Sequence, residues 1–499
     1  MTGLGTVAAR FAPTVRAGIP EAVGWVALPS LAGIALGLTA PLGPAVFLTG
    51  MAVAALGLIA YVFALRRRPA LLIGGFLVWL SVERMAVAML SPGLAPELLP
   101  LLLGYKELFF PVTGLVLIPA IPRVWREAPV ELRVVDGLAI AFGVIIVVGF
   151  ALSDAPLMDR VVNARRLALL PLIYGVVRLL PWRVESLRTV TKLVVIAALV
   201  VAVFGLIERL VLGEIVWREW VPAAYFYHLS NLSGIAAPGS DFPMRGLPLA
   251  FMDFTSGEGE RRLVSTFLEA TTLASFLSFG AIVALAAVRP PVLGVAAAAV
   301  ISAAALLTLG KAGWVILGVG LAYVVAISFV PRLREPAWLA SMAAGVFGAL
   351  VVISLVLEVS GSATGALAHF EGLREGIEAV IENPIGHGLG IGGNFGTGVI
   401  AAESTFGVIM VQLGLLGFVI WAAWMVALAF ACSTVGRWVR AEPLLSGGLA
   451  AALIGFVGTA AFTESAGGFL GNWVYAMLPA ALLTVAARSI AEPSHTIGE

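Results

Sequence analysis

The stretch KLVVIAALVVAVFGLIERLVL, residues 192–212, holds fifteen uncharged apolar residues between Lys192 and Glu208. It is too long for a strand, shows no alternation of apolar and polar residues, and matches the roughly 20 residues that a helix needs to cross about 30 Å of hydrocarbon. Outward from it, the same pattern recurs in both directions. Fourteen such stretches are read, at about 22–40, 43–64, 70–91, 97–121, 135–153, 161–180, 192–212, 264–287, 291–308, 310–330, 338–358, 403–430, 446–463 and 470–488. The expected fold is an all-α polytopic transmembrane helical bundle of about 14 spans, with 12–14 as the range.

Composition agrees. Of 499 residues, 60% are hydrophobic and 12% charged, with a mean hydropathy of +1.04. A soluble surface needs about twice that share of charge. Net charge is +1 without a basic tract, which argues against nucleic acid as a partner. One cysteine, Cys432, excludes an internal disulfide or a cysteine-built zinc site, and four scattered histidines point to no metal. The first apolar stretch lacks a signal-peptide cleavage pattern, so a retained anchor is expected.

Lysine and arginine set the orientation. With Arg10 and Arg16 in the cytoplasm, the even-numbered connections carry Arg66, Arg67 and Arg68; Arg123, Arg126 and Arg133; Arg183, Arg188 and Lys192; Arg289; Arg332 and Arg334; and Arg437 and Arg440. Both termini are then cytoplasmic. The organisation expected is an N-terminal bundle (1–212), a long extracytoplasmic loop (213–262), central spans (263–358), a second long extracytoplasmic loop (359–402) and C-terminal spans (403–499), with short helices in the loops.

Several cations do not fit that rule. Arg160, Arg165 and Arg166, then Arg245, Arg261 and Arg262, then Lys311, then Arg374 come from four segments and share the expected outer interface. Such a set suits a polyanion, because guanidinium groups grip phosphate oxygens with paired hydrogen bonds; pairing with outer acids such as Glu214, Glu219 and Glu260 is the plain alternative. Deeper lie Glu83-Arg84 and Lys106-Glu107. A hairpin of the third and fourth spans would pair Glu83 with Lys106 and Arg84 with Glu107, as a brace or, alternatively, as a polar path.

In the second loop, Phe370, Leu373, Ile377, Val380 and Ile381 fall on one helical arc opposite Glu371, Glu375, Glu378 and Glu382, with Arg374 on the border. This helix should lie against the bundle or in the interface and stop before Pro384. Gly388, Gly390 and Gly393 satisfy a G-x-G-x-x-G pattern, but no strand precedes them, so turn chemistry or backbone approach to a substrate is expected instead of a dinucleotide. The first loop gathers Trp217, Trp220, Tyr225, Phe226, Tyr227 and His228, an interfacial belt or a platform for sugar rings.

Three segments carry a further likeness: Arg262 with the following LVSTFLEATTLA; LTLGKA at 307–312; and Arg374 ahead of AVIENPIGHGLG at 379–390, then Glu403-Ser404 and QLGLLG at 412–417. Together they resemble the O-antigen ligase/polymerase family of bacterial membrane proteins, over roughly 260–430. The resemblance implies a metal- and cofactor-independent glycosyltransferase of the bacterial inner membrane. Its expected substrate is an undecaprenyl-diphosphate-linked oligosaccharide, with membrane lipids, a flippase and a chain-length regulator as partners. Ligases of this type carry a histidine–asparagine pair where this chain has Glu403-Ser404, so polymerisation is the first expectation and ligation the alternative; a transporter is the rival class. On the motif match, Arg262 and Arg374 hold the diphosphate and Glu403 is the base. Arg165, Arg166, Arg261 and Lys311 assist, Glu269 is the second candidate base, His387 and His369 are further ones, and Tyr225 and Tyr227 contact sugar.

Overall fold

The computed structural model describes residues 19–39, 42–90, 98–212, 252–253, 260–360, 364–392, 404–435, 438–439, 442–463 and 470–491. Each apolar stretch forms a helix. They are α1 (Ile19–Thr39), α2 (Pro44–Leu65), α3 (Pro69–Leu90), α4 (Leu99–Leu117), continued by the short α5 (Ile121–Glu127), α6 (Val130–Leu152), α7 (Leu157–Leu179) and α8 (Val184–Ile207). After the first long loop follow α9 (Ala270–Ala287), α10 (Pro291–Leu307), α11 (Lys311–Phe329), α12 (Pro336–Ser360), the loop helix α13 (Thr364–Glu382), α14 (Thr405–Val435), α15 (Pro443–Ala460) and α16 (Val474–Ala491). The chain is an all-α multi-pass bundle. Among the described residues, ten helices are long and apolar enough to cross a membrane. The α10 and α16 segments and the first half of α12 are shorter, and α7 carries Arg160, Arg165, Arg166 and Arg178. The only strand pairing described is a two-residue antiparallel contact, Met252–Asp253 with Glu260–Arg261.

The centre is built on α9 and α15, both buried along most of their length, whereas α1 and α2 leave most side chains outward. Lipid gives apolar helices no hydrophobic reason to associate, so close backbone approach does that work. A β-carbon at Gly313 of α11 would fall 2.5 Å from the Ala274 Cβ of α9, and one at Gly455 of α15 would fall 3.0 Å from the Ile316 Cα. A buried polar tie joins α6, α7 and α16. The Arg178 guanidinium donates to both Asp136 oxygens at 2.9 and 2.8 Å, Tyr174 donates to Asp136 at 2.6 Å, and Arg178 also donates to Thr484 at 3.1 Å.

At the end of the bundle where α7 finishes, several connections meet. Arg188 pairs with Glu442 at 2.6 Å, Ser433 donates to the Arg334 carbonyl at 3.1 Å, and Arg488 donates to the Trp182 carbonyl at 3.0 Å. These belong to the connections that the arginine pattern groups on one side of the membrane.

The second loop is tied to α14 by its backbone. Gly414 departs from helical geometry (φ 67, ψ −168), which breaks α14 one-third of the way along. Residues 384–389 fill the break: Leu415 N donates to the Pro384 carbonyl at 2.9 Å, and the His387 and Gly388 amides donate to Val411 and Gln412 carbonyls at 2.8 and 3.1 Å. Irregular backbone inside a membrane bundle needs such partners from within the protein. Any side chain at Gly414 would strike the Pro384 and Ile385 backbone. The loop glycines therefore allow close approach to α14 and, at Gly388, to Ser153 Cβ at 2.6 Å from an added β-carbon.

The α13 helix lies against α14 through small residues more than through its apolar arc. Its buried face is Gly372, Gly376 and Ala379, with Leu373 and Val380 half-buried, while Ile377 and Ile381 are exposed. A β-carbon at Gly376 would collide with the Gly407 backbone of α14. Small residues four and three apart make the seam, and part of the apolar arc faces away from the bundle.

Candidate functional site

At the other end of the bundle, residues 262–269 run as largely buried backbone with one 3-10 turn (Ser265–Phe267) between α8, α3 and α9. Leu263 and Val264 are inaccessible, and Ser265 and Leu268 adopt left-handed φ of 48° and 51°. Leucine rarely takes that conformation, and it persists only where neighbours over-determine it. Here they do. Leu263 N donates to the Leu307 carbonyl at 2.9 Å, Ser265 Oγ to the Val201 carbonyl at 2.7 Å, Thr266 Oγ1 to the Ser81 carbonyl, and Arg84 to the Phe267 carbonyl at 3.4 Å.

The mid-helix charges meet this segment. Lys106 Nζ of α4 donates to both Glu83 oxygens of α3 at 2.8 and 2.7 Å, so the expected Glu83–Lys106 pair is present. The companion pair differs. Glu107 bonds Arg165 of α7 at 3.2 Å, while Arg84 turns to the Phe267 carbonyl. The hairpin reading supplied only α3 and α4 and could not include a third helix. Below the charges stack Phe76, Phe109, Phe110 and Trp473, with ring centroids 4.4–5.3 Å apart. The result is a polar network with an apolar floor: buried at Glu83 and Lys106, and open at Arg165, whose side chain is 49% exposed.

The sequence-derived candidates now sort by what they touch. Arg261 is buried against Glu208, bonding both its carboxylate and, at 3.3 Å, its carbonyl. Burial pushes the Arg261 guanidinium below its ordinary pKa. Arg262 donates to the Thr308 carbonyl at 2.9 Å, where α10 ends and free carbonyls need donors. Glu269 caps α9: its two oxygens accept from Thr271 N and Thr272 N at 2.8 Å each. Both of its oxygens are occupied by the cap. Lys311 is exposed at the first position of α11, a site where the helix dipole disfavours a cation and an anion would compensate. Arg166 is buried one residue beyond Arg165. Arg374 stands exposed between Glu371 (3.5 Å) and Glu378 (3.6 Å). The His387 side chain is exposed, and its backbone amide donates to the Val411 carbonyl. Glu403, Tyr225 and Tyr227 lie outside the described residues, as do the other first-loop aromatics, and nothing is described of the His369 side chain. Next to Glu403, Ser404 is buried, accepts from Gly407 N and donates to the Ala461 carbonyl at 2.7 Å, fixing the start of α14.

Two residues not among those candidates connect the halves of the site. Gln412 Nε2 donates to Asn163 Oδ1 at 3.0 Å and to the Gly392 carbonyl at 3.3 Å. Asn163 lies two residues before Arg165, so the glycine-rich loop is anchored beside the arginines of α7. A β-carbon at Gly390 would lie 2.9 Å from the Asp159 backbone, which brings the loop to the first turn of the same helix. A buried asparagine and glutamine inside apolar helices were the available signal. Among the described residues, no group of histidine, cysteine and carboxylate side chains could hold a metal ion. No protein-family model and no curated protein matches this chain.

Proposed function

We propose that the chain is a bacterial inner-membrane glycosyltransferase that polymerises undecaprenyl-diphosphate-linked glycan units on the extracytoplasmic face, in cell-surface polysaccharide synthesis. One observation carries this reading: three cations from three helices, Arg84, Lys106 and Arg165, cluster with two described acids, Lys106 bonding Glu83 and Arg165 bonding Glu107 while Arg84 holds the Phe267 carbonyl, beside a segment bearing Arg262. Cations in excess of acids at a lipid-accessible depth suit a diphosphate whose polyprenyl tail stays in the membrane. Arg165 is the accessible member, since an exposed pair at 3.2 Å is weak enough to exchange Glu107 for phosphate.

In the reaction the acceptor hydroxyl attacks the anomeric carbon, the bond from that carbon to the diphosphate oxygen breaks, and the lipid diphosphate leaves. The hydroxyl proton passes to Glu403. Arg165, Arg262 and Arg374 stabilise the charge that grows on the leaving group, with Arg166 and Lys311 nearby, by fixed electrostatics. Glu269 is the second candidate base, His387 and His369 are further ones, and Tyr225 and Tyr227 are candidate sugar contacts.

The test uses purified protein and undecaprenyl-diphosphate oligosaccharide, following chain extension and release of carrier diphosphate. Arg165→Lys and Arg374→Lys keep charge but lose the planar fork, and turnover should fall by about 10²–10³. Glu403→Gln should abolish extension and spare donor binding. Transfer to a different acceptor without extension selects ligation. A second reading, transport of lipid-linked oligosaccharide, is favoured by the broken helix at Gly414, a feature of many transporters. Wild-type protein that moves donor across liposomes but never extends it would establish that reading instead.

A further inference from the structure

A separate cavity of about 210 Å³ opens at the opposite end of the bundle, lined by Arg66, Arg67, Arg123, Arg178 and Arg488 with a single acid, Glu127. Three helices fix its distance from the network above. Arg165 and Arg178 are thirteen residues apart on α7, about 20 Å along its axis. Lys106 lies inside α4 and Arg123 in its continuation α5, and Arg66 and Arg67 precede α3 while Glu83 lies well inside it. The cavity is therefore no part of the proposed catalytic end.

Its arginines are in unequal states. Arg178 forms the floor and is committed to Asp136 and Thr484. Arg123 pairs with Glu127 at 2.7 Å, both exposed, and Arg488 holds the Trp182 carbonyl. Arg66 and Arg67 make no ion pair with any described residue; Arg66 lies over the Phe63 ring at 5.2 Å. The remaining wall is apolar: Leu117, Ala120, Val124, Leu179, Pro181 and Ala487. On the same α4–α5 run, Leu115, Ile118, Ile121 and Trp125 are exposed, an apolar and aromatic surface at the rim. A cationic cleft with an apolar wall between helices is the form that takes an anionic headgroup while its chains stay outside.

We propose that this cavity is a binding site for a phosphate group, held by Arg66 and Arg67 with Arg123 and Arg488 around it. The phosphate comes from an anionic phospholipid or from free phosphate, and the apolar rim favours the lipid. Full-length protein, delipidated in detergent, is offered phosphatidylglycerol or phosphatidylcholine and read by native mass spectrometry, and inorganic phosphate is titrated separately. Wild type should retain phosphatidylglycerol preferentially. Removing one basic residue near an anionic lipid surface costs about fivefold in affinity, so Arg66→Gln, Arg67→Gln should lose about 20–30-fold.

Arg66→Lys, Arg67→Lys keeps the charge that sets membrane insertion and should lose less, through the missing bidentate geometry alone. The control Arg289→Gln, Arg332→Gln removes equal charge from connections outside the cavity and should change nothing. Binding of inorganic phosphate that is lost in the glutamine pair, without lipid preference, supports the site with a soluble source. Equal losses in control and cavity variants, or no difference between wild type and the glutamine pair for either probe, would overturn the proposal.

Discussion

Two buried ion-pair networks cross this bundle, and they differ in closure. At one end Asp136 accepts from Tyr174 and twice from Arg178, whose remaining reach goes to Thr484. Every strong donor there has an acceptor inside the protein, and Arg178 is almost fully buried. At the other end, Glu83 and Lys106 are equally deep, but the charges next to them in sequence turn elsewhere, Glu107 to the half-exposed Arg165 and Arg84 to a loop carbonyl. A closed network fixes helices against each other. An open one fixes helices and also presents charge to whatever reaches its exposed edge, which is why the functional proposal rests on the second.

The largest effect expected is all-or-none. On a Cys432→Ala background, cysteine at Ile385, an exposed residue of the loop anchored near Arg165, should label from outside the cell. Cysteine at Arg67, near the closed network, should not. Reversed labelling would place the open network in the cytoplasm and remove the catalytic proposal.

Next, Asp136→Asn should destabilise the protein by about 3–5 kcal/mol, because it strands a buried guanidinium. Thermal unfolding in detergent and folded yield report this. A stability unchanged from wild type would mean that the closed network does not brace α6, α7 and α16.

Glu83→Gln should fall at the low end of the same range, about 3 kcal/mol, since Glu107 is the next residue after Lys106. Adding Lys106→Gln should return part of the loss. No recovery in the double variant would show that the two residues act separately.

The smallest stability effect belongs to Arg165→Gln, under about 1 kcal/mol for so exposed a pair. Loss of chain extension at near-normal stability separates the open network from the closed one. If Arg165→Gln unfolds the protein as Asp136→Asn does, the distinction between the two networks fails.

Much of the fold was legible because it follows from a one-dimensional quantity. A lipid solvent demands long apolar runs, and each of the fourteen runs became a helix, down to the stop of α13 before Pro384. The Glu83–Lys106 pair was legible for a similar reason: a short turn between adjacent spans sets the depth of both charges. The loss of Arg84–Glu107 to Arg165 was not, because which third helix stands beside a hairpin is a matter of packing. Nor was the closed network anticipated, although Asp136 and Arg178 were visible as charges inside spans; what pairs them is the contact of α6 with α7.

What the sequence alone determined is the solvent of this protein, where its long apolar helices fall, and which charges are too deep to stand alone. Tertiary structure decided how those charges are used. Glu269 became a helix cap and Arg261 the partner of Glu208, while Arg165 kept an exposed edge. Gly386 and Gly388 became the strap across the break at Gly414, because glycine spacing records that backbones approach closely but not which backbone approaches. Hydropathy is a property of each residue by itself, whereas pairing and close approach belong to two residues distant in sequence and exist only once the helices have packed.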